Sequence, residues 1–198
     1  MGTATEGLAT ADYVRGIDTR LIKAQNAARG AERRMVMSAT ALQKLLGSPV
    51  EVELSVESLT WSFERAADEL VTAARSAKLP YAARRQANGA VTQMLAERER
   101  AVRLQAQIAH LECVYAARGG WQRYYRGADG TLHLNTGCAA LVLGGGARFM
   151  IPQLSGSEPQ DVMAALGDQV RICTGCLRAA EDEARRAAAD AADEVLAS

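Results

Sequence analysis

Residues 14–45 read VRGIDTRLIKAQNAARGAERRMVMSATALQKL. Val14, Leu21, Ala28, Met35 and Leu42 recur every seven positions, and Ile17, Ala24, Ala31, Ser38 and Leu45 form a second row three positions on. This is a heptad seam about five repeats long, the pattern of a helix that buries one stripe against another helix. Gly16 and Gly30 lie off the seam, where each weakens helix propensity by about 1 kcal/mol without interrupting the contact face. Gly47 followed by Ser48-Pro49 marks the end.

C-terminal to that seam, Val50 to Leu54 alternates too briefly to make a strand and reads as an extended linker. Leu59, Phe63, Ala66, Leu70, Ala73 and Ala77 then predict a second helix over 56–78, capped by Ser55 and ended at Leu79-Pro80. A third helix is expected from Tyr81 to Ala117, its seam formed by Met94, Ala101, Leu104, Ile108, Leu111, Val114 and Tyr115. Three long amphipathic segments with short links predict a mainly α domain over 1–117, an antiparallel helical bundle or coiled-coil hairpin. The same seams offer a surface for homo-oligomer formation. Nothing in 1–117 resembles a catalytic constellation.

The composition of the 198 residues, 48% hydrophobic and 23% charged, is that of a globular protein. No run approaches the roughly 18–20 apolar residues needed to span a bilayer, and MGTATEGLATADY lacks the order of a secretory signal. No membrane association and a cytoplasmic location are therefore expected. In such a compartment closely spaced cysteines read as metal ligands or catalytic groups rather than disulfides. The 23 basic and 23 acidic residues balance, without the basic excess usual in proteins that hold nucleic acid through phosphates.

At Gly119-Gly120 the pattern changes. Trp121 to Arg126 and Thr131 to Asn135 flank Asp129-Gly130 and predict a β-hairpin. LVLGGGARFMIPQ, 141–153, reads as a loop and short strand, 158–167 as a helix, and Leu177 to Ala197 as an alanine-rich helix. Six acids and two arginines in 181–198 suggest a solvated face, with Val195-Leu196 offering an apolar end to pack back. A small α+β domain over 118–180 has few core residues and needs a staple.

Cys173-Thr-Gly-Cys176 puts two thiolates on one tight turn, able to reach a single tetrahedral ion at about 2.3 Å. A lone CxxC also suits a redox pair, but that reading wants a βαβ setting. His133-x4-Cys138 supplies the second pair, so His133, Cys138, Cys173 and Cys176 form a complete set for Zn2+. His110 and Cys113, three apart on the third helix, compete: Cys113 as a replacement ligand or with His110 at a second ion, against a small apolar cysteine and a surface histidine. Asp129, Glu158, Asp161 and Asp168 follow no catalytic spacing, and a closed four-ligand site is structural.

Trp121, Arg123, Tyr124, Tyr125 and Arg126 interleave aromatic and basic groups that can stack on bases or meet a partner. On a strand Trp121, Arg123 and Tyr125 face one side and Gln122, Tyr124 and Arg126 the other, so part of the set must be core. Between 118 and 180 six arginines oppose four carboxylates. A zinc ion and three thiolates leave the domain at about +1. Gly144-Gly-Gly146 lacks the P-loop ending and reads as a turn.

The run Gly120-Trp121-x-Arg123, Asp129-Gly130, His133-x4-Cys138, Leu154-Ser-Gly156, Val162, Gly167 and Cys173-Thr-x-Cys176 resembles the C-terminal block of small uncharacterised proteins of actinobacteria and their phages. Those proteins carry GGWxRxF, GHxHxxxxC, LSG, VxxxG and CTVC. The likeness covers roughly 119–178 and implies a helical N-terminal half before a zinc-binding block. Thr131 stands where the family often has a histidine, and Leu141 where it often has a cysteine. The expectation is a non-enzymatic zinc-binding adaptor of phage or actinobacterial type, contacting a protein or nucleic-acid partner. The alternatives are a metal-dependent hydrolase or nuclease, or a phage factor that inhibits a host enzyme.

Overall fold

The computed structural model describes residues 10–46, 78–144, 149–167 and 170–196, together with 68, 71, 72, 74 and 75. The expected linker at 50–54 and most of the expected second helix fall outside the described residues; Asp68, Val71, Thr72, Ala74 and Arg75 within that helix are helical.

The heptad reading holds along its length. Helix α1 spans Ala11–Leu46. Every seam residue from Val14 to Leu42 is buried, and Leu45 is half-buried. Helix α2 spans Tyr81–Ala117. The protein is thus mainly helical, with two long packed helices and a small antiparallel sheet.

Contacts divide the chain into two compact units, Lys23–His110 and Met1–Ile22 with Leu111–Ser198. In the first of these, Met35, Ala39 and Leu42 of α1 pack with Val71 and Ala74 and with Ala87, Val91 and Met94 of α2. The helices run antiparallel there, since Arg34 meets Glu97 while Leu42 shares a core with Ala87. Each fully buried Leu or Met contributes roughly 1.5–3 kcal/mol. Arg34 grips Glu97 through two bonds, Nε to Oε1 at 2.6 Å and Nη2 to Oε2 at 3.0 Å.

The other unit contains the whole 118–180 span and the outer ends of both long helices. Helix α2 closes at Gly119 and Gly120, whose amides bond to Ala116 O and Tyr115 O. Both have φ +75°, and a Cβ on Gly120 would lie 3.1 Å from Tyr115 Oη, so glycine is required. Strand β1 (Tyr125–Arg126) pairs antiparallel with β2 (Leu132–His133), which confirms the hairpin around Asp129-Gly130. Helix α3 (Ala139–Leu143) follows, and β3 (Phe149–Met150) pairs on the other side of β1, giving the order β2-β1-β3. Helix α4 (Pro159–Leu166) lies where 158–167 was expected to be helical.

Helix α5 spans Thr174–Leu196 and starts three residues earlier than the alanine-rich run suggests. Gly175, a poor helix former, disguises its first turn. Every side chain from Glu181 to Ala192 is exposed, so this stretch is solvated on all faces, while the side chains of Val195 and Leu196, the end expected to pack back, lie outside the described residues.

Candidate metal centre

His133, Cys138, Cys173 and Cys176 come from three separate segments, and backbone pairing explains how they meet. Tyr125 opposite His133 fixes the hairpin register. Leu132 then bridges Ile172 in parallel, with Leu132 N donating to Arg171 O and Cys173 N to Leu132 O, both at 2.8 Å. One residue on from this bridge, His133 and Cys173 stand side by side. Cys138 precedes α3, and Cys173 precedes α5, whose first turn carries Cys176.

The four ligand atoms all lie within 4.8 Å of one another. Tetrahedral bonds of about 2.3 Å place two sulfurs about 3.8 Å apart. Cys138 Sγ and Cys173 Sγ are 3.8 Å apart, and Cys176 Sγ lies 3.9 Å from His133 Nδ1. The residues therefore fit a metal ion. His133 and Cys176 are buried, while Cys138 and Cys173 are half-buried.

The sulfurs differ in environment. Burial raises the Cys138 thiol, but the Leu141 amide, His133, Cys176 and the Ala140 amide outweigh it and bring it down to about 6. Burial pushes Cys176 up to about 11, reinforced by Cys138 and Cys173 against the Leu134 amide. A cleft of 380 Å³ opens beside the cluster, with Gly127, Asp129, Thr131, His133, Arg171 and Cys173 in its lining. Asp129 Oδ1 accepts from Thr131 N at 3.0 Å and Oδ2 from Thr131 Oγ1 at 2.7 Å. These bonds from Thr131 hold the Asp129 carboxyl below its ordinary range, and His133 adds to them.

The alternation expected along 121–126 is present although only Tyr125 and Arg126 are strand. Trp121 and Arg123 turn to one side, where both meet Asp18 of α1. Trp121 Nε1 donates to Asp18 Oδ2 at 2.8 Å and Arg123 Nε to Oδ1 at 3.0 Å. Arg123 Nη2 lies 2.8 Å from the same Oδ1, as an ion-pair contact without hydrogen-bond alignment. Arg123 Nη1 reaches Glu112 Oε2 at 2.8 Å, and its guanidinium sits 3.7 Å from the Tyr115 ring centre. Burial works against the Arg123 charge, but bonds to Glu112 and Asp18 outweigh it and raise its pKa.

On the opposite side Tyr124 is fully buried with Leu132, Val162 and Ile172, its hydroxyl donating to Ser157 O at 2.9 Å. Burial, with Glu158 and Asp161, pushes its phenol up to about 12. Of the aromatic-basic run, then, Arg123 and Tyr124 are core, Trp121 and Tyr125 are half-buried and Arg126 is exposed. The run does not form one stacking surface, because four of its five side chains are spent on packing.

His110 and Cys113 are both exposed on α2, and the cluster is complete without Cys113. Asp18 is the buried partner of Trp121 and Arg123 that sequence reading missed. It lies four after Val14 and three before Leu21, on the apolar face of α1, where an acid signals a buried partner.

Among the described residues no helix is long and apolar enough to cross a membrane. No protein-family model matches the chain, and neither a curated protein nor a solved structure matches it.

Proposed function

We propose that this protein is a non-enzymatic interaction protein whose small domain is built around one structural zinc ion, held by His133, Cys138, Cys173 and Cys176. The observation that carries the reading is the convergence of these four ligand atoms within 4.8 Å from three segments. Three thiolates and an imidazole suit zinc better than the hard cations, which prefer oxygen. Four protein donors fill a tetrahedral ion, leaving no position for a reacting water, and this favours scaffold over hydrolase.

A protein partner is the better-supported occupant of the domain surface. Arg123 is committed to Asp18 and Glu112, and Tyr124 to the core, which removes two of the groups that would have served nucleic acid. Exposed apolar side chains remain on the same unit: Val142, Leu143, Phe149 and Met163, with Leu143 85% and Phe149 63% exposed. Such side chains suit apolar contact with a folded protein. The reading covers an adaptor or a phage factor acting on one host protein.

Elemental analysis of freshly purified protein tests the zinc reading. About one zinc per chain is expected, with loss of metal in Cys173→Ser. Folded protein free of metal would overturn it. Zinc-dependent hydrolysis of nucleic acid or peptide, lost with chelation and restored by zinc, would overturn the adaptor reading while leaving the zinc in place.

A further inference from the structure

His133 presents Nδ1 to the sulfurs, 3.9 Å from Cys176 Sγ, so its other nitrogen, Nε2, faces away from the cluster. It faces the flank of Gly127. A Cβ placed on Gly127 would lie 3.4 Å from His133 Nε2 and 2.9 Å from Asp129 Oδ1. The imidazole nitrogen and the carboxylate oxygen therefore crowd the same small space, which only a residue without a side chain leaves open. Asp129 is also held in place, since Thr131 donates to both of its oxygens. Gly127, Asp129, Thr131 and His133 all line the 380 Å³ cleft, which is large enough to admit water.

We infer that Asp129 is the outer positioning residue of the metal centre, accepting the His133 Nε2–H through one bridging water, and that Gly127 is glycine to keep that space open. A neutral imidazole has one protonated nitrogen. An acceptor at Nε2 places the proton there, frees the Nδ1 lone pair for the metal and fixes the ring plane. Thr131 serves the same end by orienting the carboxylate. The inference rests on the zinc reading above and adds residues outside the ligand set.

The test uses the full chain loaded with Zn2+, competed against a chelator of known affinity. Asp129→Ala removes the accepting oxygen, and its zinc affinity is expected to fall by about 10–100-fold. Asp129→Asn keeps an oxygen that can accept both from the Thr131 amide and on the His133 side, so it should recover most of that loss. Gly127→Ala, which displaces the carboxylate by crowding, should fall in the same direction as Asp129→Ala, and Thr131→Val by less. A second readout separates positioning from general damage: in 15N spectra of the zinc form, the His133 Nε2–H should exchange faster with solvent in Asp129→Ala than in wild type or Asp129→Asn. Wild-type affinity and unchanged exchange in Asp129→Ala would overturn the inference alone. Wild-type protein that takes up no zinc would overturn the zinc reading and this inference with it.

Discussion

The helical unit and the unit that carries the ligand cluster are built differently. Among the described residues, Lys23–His110 has a core cluster of eight buried residues drawn from α1, α2 and the segment between them. The corresponding cluster beside the ligands has four: Tyr124, Leu132, Val162 and Ile172. The strands there are two residues each, too short to supply much ladder energy. Periodic packing suffices for the first region. On the zinc reading proposed above, a metal held by the ligand cluster closes the loops beside the four apolar residues of the second.

Removing a ligand tests that contrast most severely. Metal binding contributes on the order of 10 kcal/mol to small zinc-stapled folds. Cys176→Ser should therefore abolish zinc uptake and unfold the hairpin, α3 and the start of α5. The fragment 23–110, made separately, should remain strongly helical and melt cooperatively by circular dichroism. A fragment without helix at any concentration would mean that the helical unit borrows its stability, and the contrast would fail.

A smaller effect is expected from an ion pair inside the same unit. Arg123 and Asp18 have side-chain exposures of 7% and 0%, and Arg123→Ala strands the buried Asp18 charge. Breaking such a pair costs about 3–5 kcal/mol. Zinc content should be retained while the denaturant midpoint of this unit drops. Asp18→Leu with Arg123→Met should recover part of the loss, because an apolar pair removes the stranded charge. A single variant as stable as wild type would show that the ion pair carries no weight.

The two regions also differed in how far they could be read in advance. Burial against a neighbouring helix writes itself along α1 at every third or fourth position, so Val14 to Leu42 could be placed on one face from spacing alone. The ligands were equally plain, since few roles other than metal binding need His-x4-Cys and Cys-x-x-Cys in one short domain. What joins them was not. Asp18 and Arg123 are 105 residues apart, and no local pattern pairs them. The start of α5 was obscured by Thr174-Gly175, whereas the alternation of Trp121 to Arg126 was legible and continues beyond the two paired residues of the strand.

In the helical unit a single core truncation should act without any effect on metal. Leu42 is fully buried among Met35, Ala39 and Met94. Leu42→Ala removes its contacts and leaves a cavity, at a cost of about 2–5 kcal/mol. The melting temperature of fragment 23–110 should fall, and zinc stoichiometry in the full chain should be unchanged. Loss of zinc from Leu42→Ala would show that the regions fold as one cooperative body.

The smallest expected effect concerns the Arg34–Glu97 clasp, and its pH dependence follows from the direction of one shift. Bonding to Arg34 holds the Glu97 carboxyl below its ordinary range, against the opposing effect of desolvation. A carboxyl with a lower pKa folded than unfolded contributes stability above its unfolded pKa. That contribution is lost as the pH falls through the folded pKa. Glu97→Gln should therefore lower the melting temperature of fragment 23–110 slightly at neutral pH. The gap to wild type should close as the pH is taken down through the carboxylate range, because protonated Glu97 and glutamine are then nearly equivalent. Salt should narrow it as well, since the Arg34 side chain is 40% exposed. A gap independent of pH would assign the loss to altered packing at Glu97 rather than to its charge.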